Sequence, residues 1–267
     1  MCRRVCVLVF LVSACAGAQV VVDLLPDMVV DTAFLEDHEI RTDIKPNKTH
    51  LIFSNAMANV GDGPLYVFGV NPKDKGADDE TQKVKQRIFR SDGSHYNRVA
   101  GHFVYHSQHN HTHFEDWAIY RLREILPNDG VGDIIATSKK TSFCLLDSFE
   151  YDLSLPNAPD NPEFISCSTD VQGISVGYED LYDKSIPGQW IDITNVPNGD
   201  YWLESEVDPE NNVLEKDDAN NVGRIKVTVD KDTPPDPDPD PGPNPSGLLA
   251  AILALLQSLL DFLRGGT

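Results

Sequence analysis

Short runs of β-branched and aromatic residues recur from Gln19 to about Asp230, each cut off by Gly, Pro, Asn or Asp. Segments such as VVVDLLPDMVVD, THLIFSNAMANVGDGPLYVFG, DWAIYRL, QWIDIT, GDYWLESEVD and RIKVTVD read as strands bounded by turn residues. Helical periods are few before the last twenty residues. This texture predicts a mainly β fold, an antiparallel β-sandwich. The chain has 267 residues, 40% of them apolar, enough for one sizeable core in one main domain. Asn198-Gly199 reads as a tight turn between two strands. The stretches 71–101 and 147–189 read as long loops, and loops on a rigid scaffold are where sites tend to sit.

Both ends differ from this body. Residues 1–18 hold two arginines, a short apolar run and Ala16-Gly17-Ala18, the pattern of a signal peptide too short to span a membrane. Val12-Ser13-Ala14-Cys15 offers an alternative, lipid-anchored start. The expected location is secreted, with a lipid-anchored or cell-surface protein as the alternative. A main domain over 19–230 is followed by a Pro/Asp-rich linker, 231–246, extended by its prolines and like charges. Residues 247–267 then read as an amphipathic helix, with Gln257, Asp261 and Arg264 on one stripe and leucines on the rest. Such a helix suits a membrane surface or self-association.

The net charge is −20, and loss of residues 1–18, whose only charges are Arg3 and Arg4, would take it to −22. That field argues against nucleic-acid binding and favours a cationic partner or substrate. Beyond the leader only Cys144 and Cys167 remain. In an oxidising compartment two cysteines most simply form one disulfide, worth roughly 3 kcal/mol for a loop of about 22 residues. Two separate buried thiols are the other option.

The densest chemistry lies in HSQHNHTHFEDW, residues 106–117. His109, His111 and His113 alternate, so on a strand they share one face, with a bend needed to bring in the third. Neutral imidazole suits copper, zinc, iron or nickel, and three nitrogens leave a coordination position open for water, O₂ or substrate. His106 precedes the cluster, and Glu115-Asp116 follow it as candidate hydrogen-bond acceptors for the ligands. Asn110-His111-Thr112 also matches the glycosylation acceptor pattern, as does Asn47-Lys48-Thr49. A glycan on Asn110 would sit on the metal cluster. In LEKDDANN, the oxygen donors Glu215, Asp217, Asn220 and Asn221 fall in one short segment that suits Ca²⁺.

Six segments together resemble the lysyl oxidase family: LLPDMVVD (24–31), HSQHNHTHFED (106–116), KTSFCLLDS (140–148), CSTDVQGISVGYEDLYD (167–183), QWIDIT (189–194) and VLEKDDANN (213–221). They stand in family order and spacing over most of the main domain. The resemblance implies copper held by His109, His111 and His113. It also implies a lysine tyrosylquinone made from Lys140, four residues before Cys144, and Tyr182, eight before Trp190. For that linkage Lys140 must act as a neutral nucleophile, as a lysine beside a metal and apolar walls does. Asp27 and the Met28 carbonyl complete the calcium site in some members. Gln108, Tyr178 and Gly188 stand where several animal members have Cys, and Ile119 where some have His. The general base is therefore not given by the pattern, and Asp116 and His106 are the candidates.

The resemblance thus implies a secreted amine oxidase. It would convert lysine side chains or other primary amines to aldehydes with O₂, releasing H₂O₂ and ammonia. Competing readings are a non-catalytic, metal-binding β-sandwich for surface adhesion, and a three-histidine zinc hydrolase that leaves Lys140 and Tyr182 without a role.

Overall fold

The protein is described from a computed structural model that covers residues 20–70, 81–106, 111–168 and 170–232. The expected signal peptide, the tail helix 247–267, nearly all of the linker 231–246 and the histidine at 109 lie outside these residues. The chain runs β1 (Asp23–Leu24), β2 (Met28–Asp31), a one-turn helix α1 (Thr32–Leu35), β3 (His38–Arg41), β4 (His50–Phe53), β5 (Asn55–Asn59), β6 (Leu65–Gly69), β7 (Thr81–Arg90), β8 (His95–His106) and β9 (His111–Leu126). Then follow β10 (Gly130–Thr137), β11 (Thr141–Phe143), β12 (Phe149–Glu150), β13 (Gln172–Ile174), β14 (Tyr178–Tyr182), β15 (Trp190–Asp192), β16 (Gly199–Val207) and β17 (Val222–Val229). Among the described residues, no helix is long and apolar enough to cross a membrane.

The fold is mainly β and antiparallel, in three sheets rather than the two of a simple sandwich. The largest is ordered β13-β6-β7-β8-β9-β16-β17, with β1 added to β7 and with β10 and β11 added to β9. A second is β12-β14-β5-β2, and a third β15-β4-β3. One apolar core joins all three, through Trp117 and Phe103 of the first, Met57 and Tyr178 of the second and Phe53 of the third. Phe53 meets Tyr120 edge to face at 4.8 Å, the arrangement that aromatic quadrupoles favour. Gly173 lets β13 close on β6, because a Cβ there would lie 2.1 Å from the Leu65 carbonyl oxygen. Glu204, 1% exposed, keeps its charge because Arg224 and Arg121 hydrogen-bond it and Arg123 lies 3.4 Å away.

Two local expectations change. Residues 81–101 are not loop but most of the β7–β8 hairpin, paired from Thr81–Val104 to Phe89–His95. Val84, Gln86 and Ile88 all point into the protein, and the polar Gln86 in the middle of that row masks the alternation. Its amide is satisfied by the Leu214 backbone, which donates to Oε1 at 2.7 Å and accepts from Nε2 at 2.9 Å. Asn198-Gly199 is likewise no hairpin turn: β15 pairs with β4 and β16 with β9 and β17, so the segment carries the chain between sheets.

Cys144 and Cys167 form a disulfide with Cα atoms 5.4 Å apart, tying β11 to the irregular loop after β12. Replacing both with Ala will lower unfolding free energy by about 3 kcal/mol, read as a shift of the urea midpoint at unchanged slope.

Glu179 of β14 is 4% exposed, and burial, with Asp31 beside it, pushes its carboxyl up to about 7. Between pH about 4.5 and 7 the unfolded chain ionises this group while the folded one keeps the proton. Stability is therefore lost as pH rises through that window, by about 3 kcal/mol from this residue. Asp180, Asp208 and Glu215 act in the same direction. In Glu179→Gln the decline in melting temperature from pH 5 to 7 will be shallower; an unchanged slope would remove Glu179 from the set.

Candidate metal and quinone site

β8 and β9 pair from Phe103–Phe114 to His106–His111, so the hairpin's end carries the histidines. Alternation leaves His111 and His113 half-exposed on one face, while Thr112 and Phe114 are buried on the other. The Nε2 atoms of His111 and His113 lie 2.8 Å apart. The His106 ring sits 4.6 Å from that of His113, centroid to centroid. Two imidazole nitrogens converging in this way are donors that suit copper, zinc, iron or nickel alike. Among the described residues no three His, Cys, Asp or Glu side chains converge as a metal set, so a full set needs a further donor, the place the sequence gives to His109.

The strand then breaks its own alternation. Against β11, Thr141 faces Ala118 but Phe143 faces Phe114, so β9 holds two extra residues across the gap. Asp116 takes φ +56° in this bulge, and Trp117 and Ala118 both turn inward. Bulges re-aim side chains in this manner. Asp116 is directed to Lys140, whose Nζ lies 3.3 Å from Asp116 Oδ2 and 2.6 Å from Glu210 Oε1. Glu210 foremost, with Asp116, raises the lysine's pKa. Lys140 is thus held as an ammonium between two half-exposed carboxylates, the opposite of the apolar, proton-releasing setting expected for it.

Tyr182 lies at the end of β14, 6% exposed, its ring stacked on Phe143 with centroids 3.6 Å apart. Its hydroxyl donates to two facing acceptors, the Cys144 carbonyl at 3.1 Å and the carboxylate of Asp180, closer still. Asp180 and Tyr182 are two residues apart on one strand and so share a face. Burial pushes Asp180 up to about 7. Burial, with Asp180 next to it, raises the Tyr182 phenol well above its ordinary value. Asp180 is not among the site residues that the family resemblance implies, although its place two residues before Tyr182 on a strand is a signal in the sequence.

Two cavities meet at the histidines. One of about 590 Å³ is lined by Lys140, His106, His50, Trp190, Lys45 and Lys139, among others. The other, about 430 Å³, is lined by Tyr182, Asp180, His111, Phe143, Leu146 and Ile186, among others. His113, Ser142 and Pro187 belong to both. Lys140 and Tyr182 therefore occupy adjoining cavities with a common wall. Neither Asp116 nor His106 lines the one that holds Tyr182.

The segment 213–221 clasps β2. The Met28 amide donates to Glu215 at 2.6 Å, Asn220 to Asp27 at 2.7 Å, and Asn221 to Glu215 at 3.0 Å. The Oδ1 atoms of Asn220 and Asn221 are buried without a hydrogen-bond partner, and burial pushes Glu215 up to about 8. Orphaned buried oxygens beside a buried carboxyl suit a hard cation. Asp217 is exposed and caps the short 3₁₀ turn through the Ala219 amide.

Residues 78–234, more than half of the chain, match the family model for lysyl oxidase. Human lysyl oxidase homolog 1 is 36% identical over 132 residues, covering 49% of this chain and 21% of that protein. Zebrafish (Danio rerio) lysyl oxidase homolog 2B is 27% identical over 209 residues, 78% of this chain and 24% of that protein. Mouse lysyl oxidase homolog 4 is 33% identical over 131 residues. The chain thus spans about a fifth of the length of the curated relatives it matches. By the match over residues 78–234, it belongs to the lysyl oxidase family.

Proposed function

We propose that this protein is a secreted, copper- and quinone-dependent amine oxidase. It acts on lysine side chains or other primary amines, as a mainly β catalytic domain (19–230) carrying a linker and an amphipathic tail helix. The observation that carries the reading is the shared wall: Lys140 and Tyr182 line adjoining cavities that meet at His113. His109, His111 and His113 would hold copper, and Lys140 with Tyr182 would form the lysine tyrosylquinone. Together these groups supply the redox chemistry, taking an amine to an aldehyde with O₂ and water and releasing H₂O₂ and ammonia.

The chain's own residues bind and orient. Phe143, Leu146, Leu181 and Ile186 give the smaller cavity apolar walls that fit the methylene stem of a lysine. Stacking on Phe143 fixes the plane of the Tyr182 ring. Asp116 and Glu210 hold Lys140 charged, so linkage requires the lysine to leave both and lose its proton. Away from the site, Asp27, Met28, Glu215, Asn220 and Asn221 would bind calcium, with Asp217 supplying charge nearby.

Expression of the full chain with copper under air, followed by intact-mass analysis and phenylhydrazine labelling, tests this directly. A linked Lys140–Tyr182 mass and an adduct absent from Tyr182→Phe are expected. Bound copper with an unmodified mass would leave the non-catalytic, surface-binding reading in its place.

Calcium is expected to raise the melting temperature at pH 8, where Glu215 must otherwise be buried charged or keep its proton. At about a hundredfold excess over Kd the gain is about 2.7 kcal/mol. Glu215→Gln will lose most of that increment in a calcium titration followed by calorimetry. Equal stabilisation of the variant would move the ion elsewhere.

A further inference from the structure

The Tyr182 hydroxyl carries one proton and faces two acceptors, the Cys144 carbonyl and Asp180 Oδ2. A backbone carbonyl can hold that proton only as a hydrogen bond; a carboxylate can keep it. Asp180 is built for the purpose. The Leu146 amide donates to its Oδ2 at 3.0 Å, and the Ser148 hydroxyl to its Oδ1 at 2.7 Å. These bonds fix the carboxylate, and its residue is only 2% exposed. The same cavity holds Asp180, Tyr182, His111 and His113, so the pair faces the copper side of the site.

We propose that Asp180 is the proton acceptor of this cavity, taking the phenol proton of Tyr182 when that ring is converted to the cofactor. This rests on the amine-oxidase reading above. In the step the Tyr182 O–H bond breaks and an O–H bond forms at Asp180 Oδ2. The electron pair stays on the tyrosine oxygen, and the pair's net charge remains −1. No new charge appears in a buried place, which is why the transfer is accessible where release of the proton to water is not. The phenolate gives up electrons far more readily than the phenol, so the transfer readies the ring for oxidation by the O₂ that the amine-oxidase reading already requires.

Other groups are poorly placed for this role. Asp116 and His106 lie outside this cavity, and His111 and His113 would be committed to the metal. The charged and titratable groups that act on the pair are Asp147 on Asp180 and Tyr120 on Tyr182, with the two histidines across the cavity. Burial lifts the Asp180 carboxyl to about 7, which matches a base working near neutral pH.

The test uses the full chain with ¹³Cζ-labelled tyrosine, first free of metal and then with copper under air. In the metal-free protein the Tyr182 signal, identified by its loss in Tyr182→Phe, will follow a titration near pH 7 and will be flat in Asp180→Asn. With copper, phenylhydrazine-reactive cofactor will form at least about 100-fold more slowly in Asp180→Asn. Asp180→Glu will recover part of the rate, and copper content will be kept in the Asn variant. Cofactor formation at the wild-type rate in Asp180→Asn, or an unaltered Tyr182 titration, overturns the assignment. If the wild-type chain forms no cofactor, the amine-oxidase reading falls. The acceptor pair is then decided by the titration alone, standing if Asn abolishes it and failing if it persists.

Discussion

Backbone hydrogen bonding along both edges of β9 determines where nearly every site residue lies. The strand runs from His111 to Leu126 and pairs with β8, β11, β16 and β10 in turn. Phe114 stands opposite both Phe103 and Phe143, and Leu122 opposite both Leu203 and Ala136. A slip of one residue would turn Phe114, Trp117 and Tyr120 out of the core and the histidines into it, so the register is strongly held. The bulge at Asp116 is the one place where the strand departs from alternation. It lets imidazoles before it and a carboxylate within it face the same region.

This scaffold places unlike electrostatic settings side by side. Around Lys140 the carboxylates are half-exposed and the lysine stays charged. Tyr182 and Asp180 are buried, and the Asp180 carboxyl keeps its proton more easily than an exposed one. All three groups hold their protons more firmly than when exposed, Lys140 through its charged partners and Asp180 and Tyr182 chiefly through burial. The acidity of the chain as a whole had suggested attraction of a cationic partner. Close to the histidines the walls instead carry Lys45, Lys48, Lys139 and Lys140, so the global charge does not describe the local field.

Much of this was legible in the residues. Turn-bounded β-branched runs gave a mainly antiparallel β protein, and the two cysteines of the main domain gave the disulfide. Alternating histidines gave a shared face because strand geometry has a period of two. What stayed hidden involved partners distant in sequence. Glu210 meets Lys140 across 70 positions, and nothing local announces that ion pair. The β7–β8 hairpin was obscured because buried Gln86 finds its partners at Leu214, far along the chain. Asp180 was visible as a residue but not as a neighbour of the hydroxyl, since only packing on Phe143 turns the ring toward it. Three sheets, where a two-layer sandwich was expected, follow from chain crossings such as Ile193–Asn198, whose direction no periodicity encodes.

One acceptor of the Tyr182 hydroxyl is the carbonyl of Cys144, a half-cystine whose partner lies 23 residues on. The loop between them includes the Asp147 carboxylate, which gathers the amides of Glu163, Phe164 and Ser175. The disulfide therefore joins the backbone that seats the Tyr182 hydroxyl to a loop whose base Asp147 already closes. Reduction of that one bond would thus reach the tyrosine pocket through the Cys144 backbone, a route from thiol chemistry to a phenol that the two side chains never share directly.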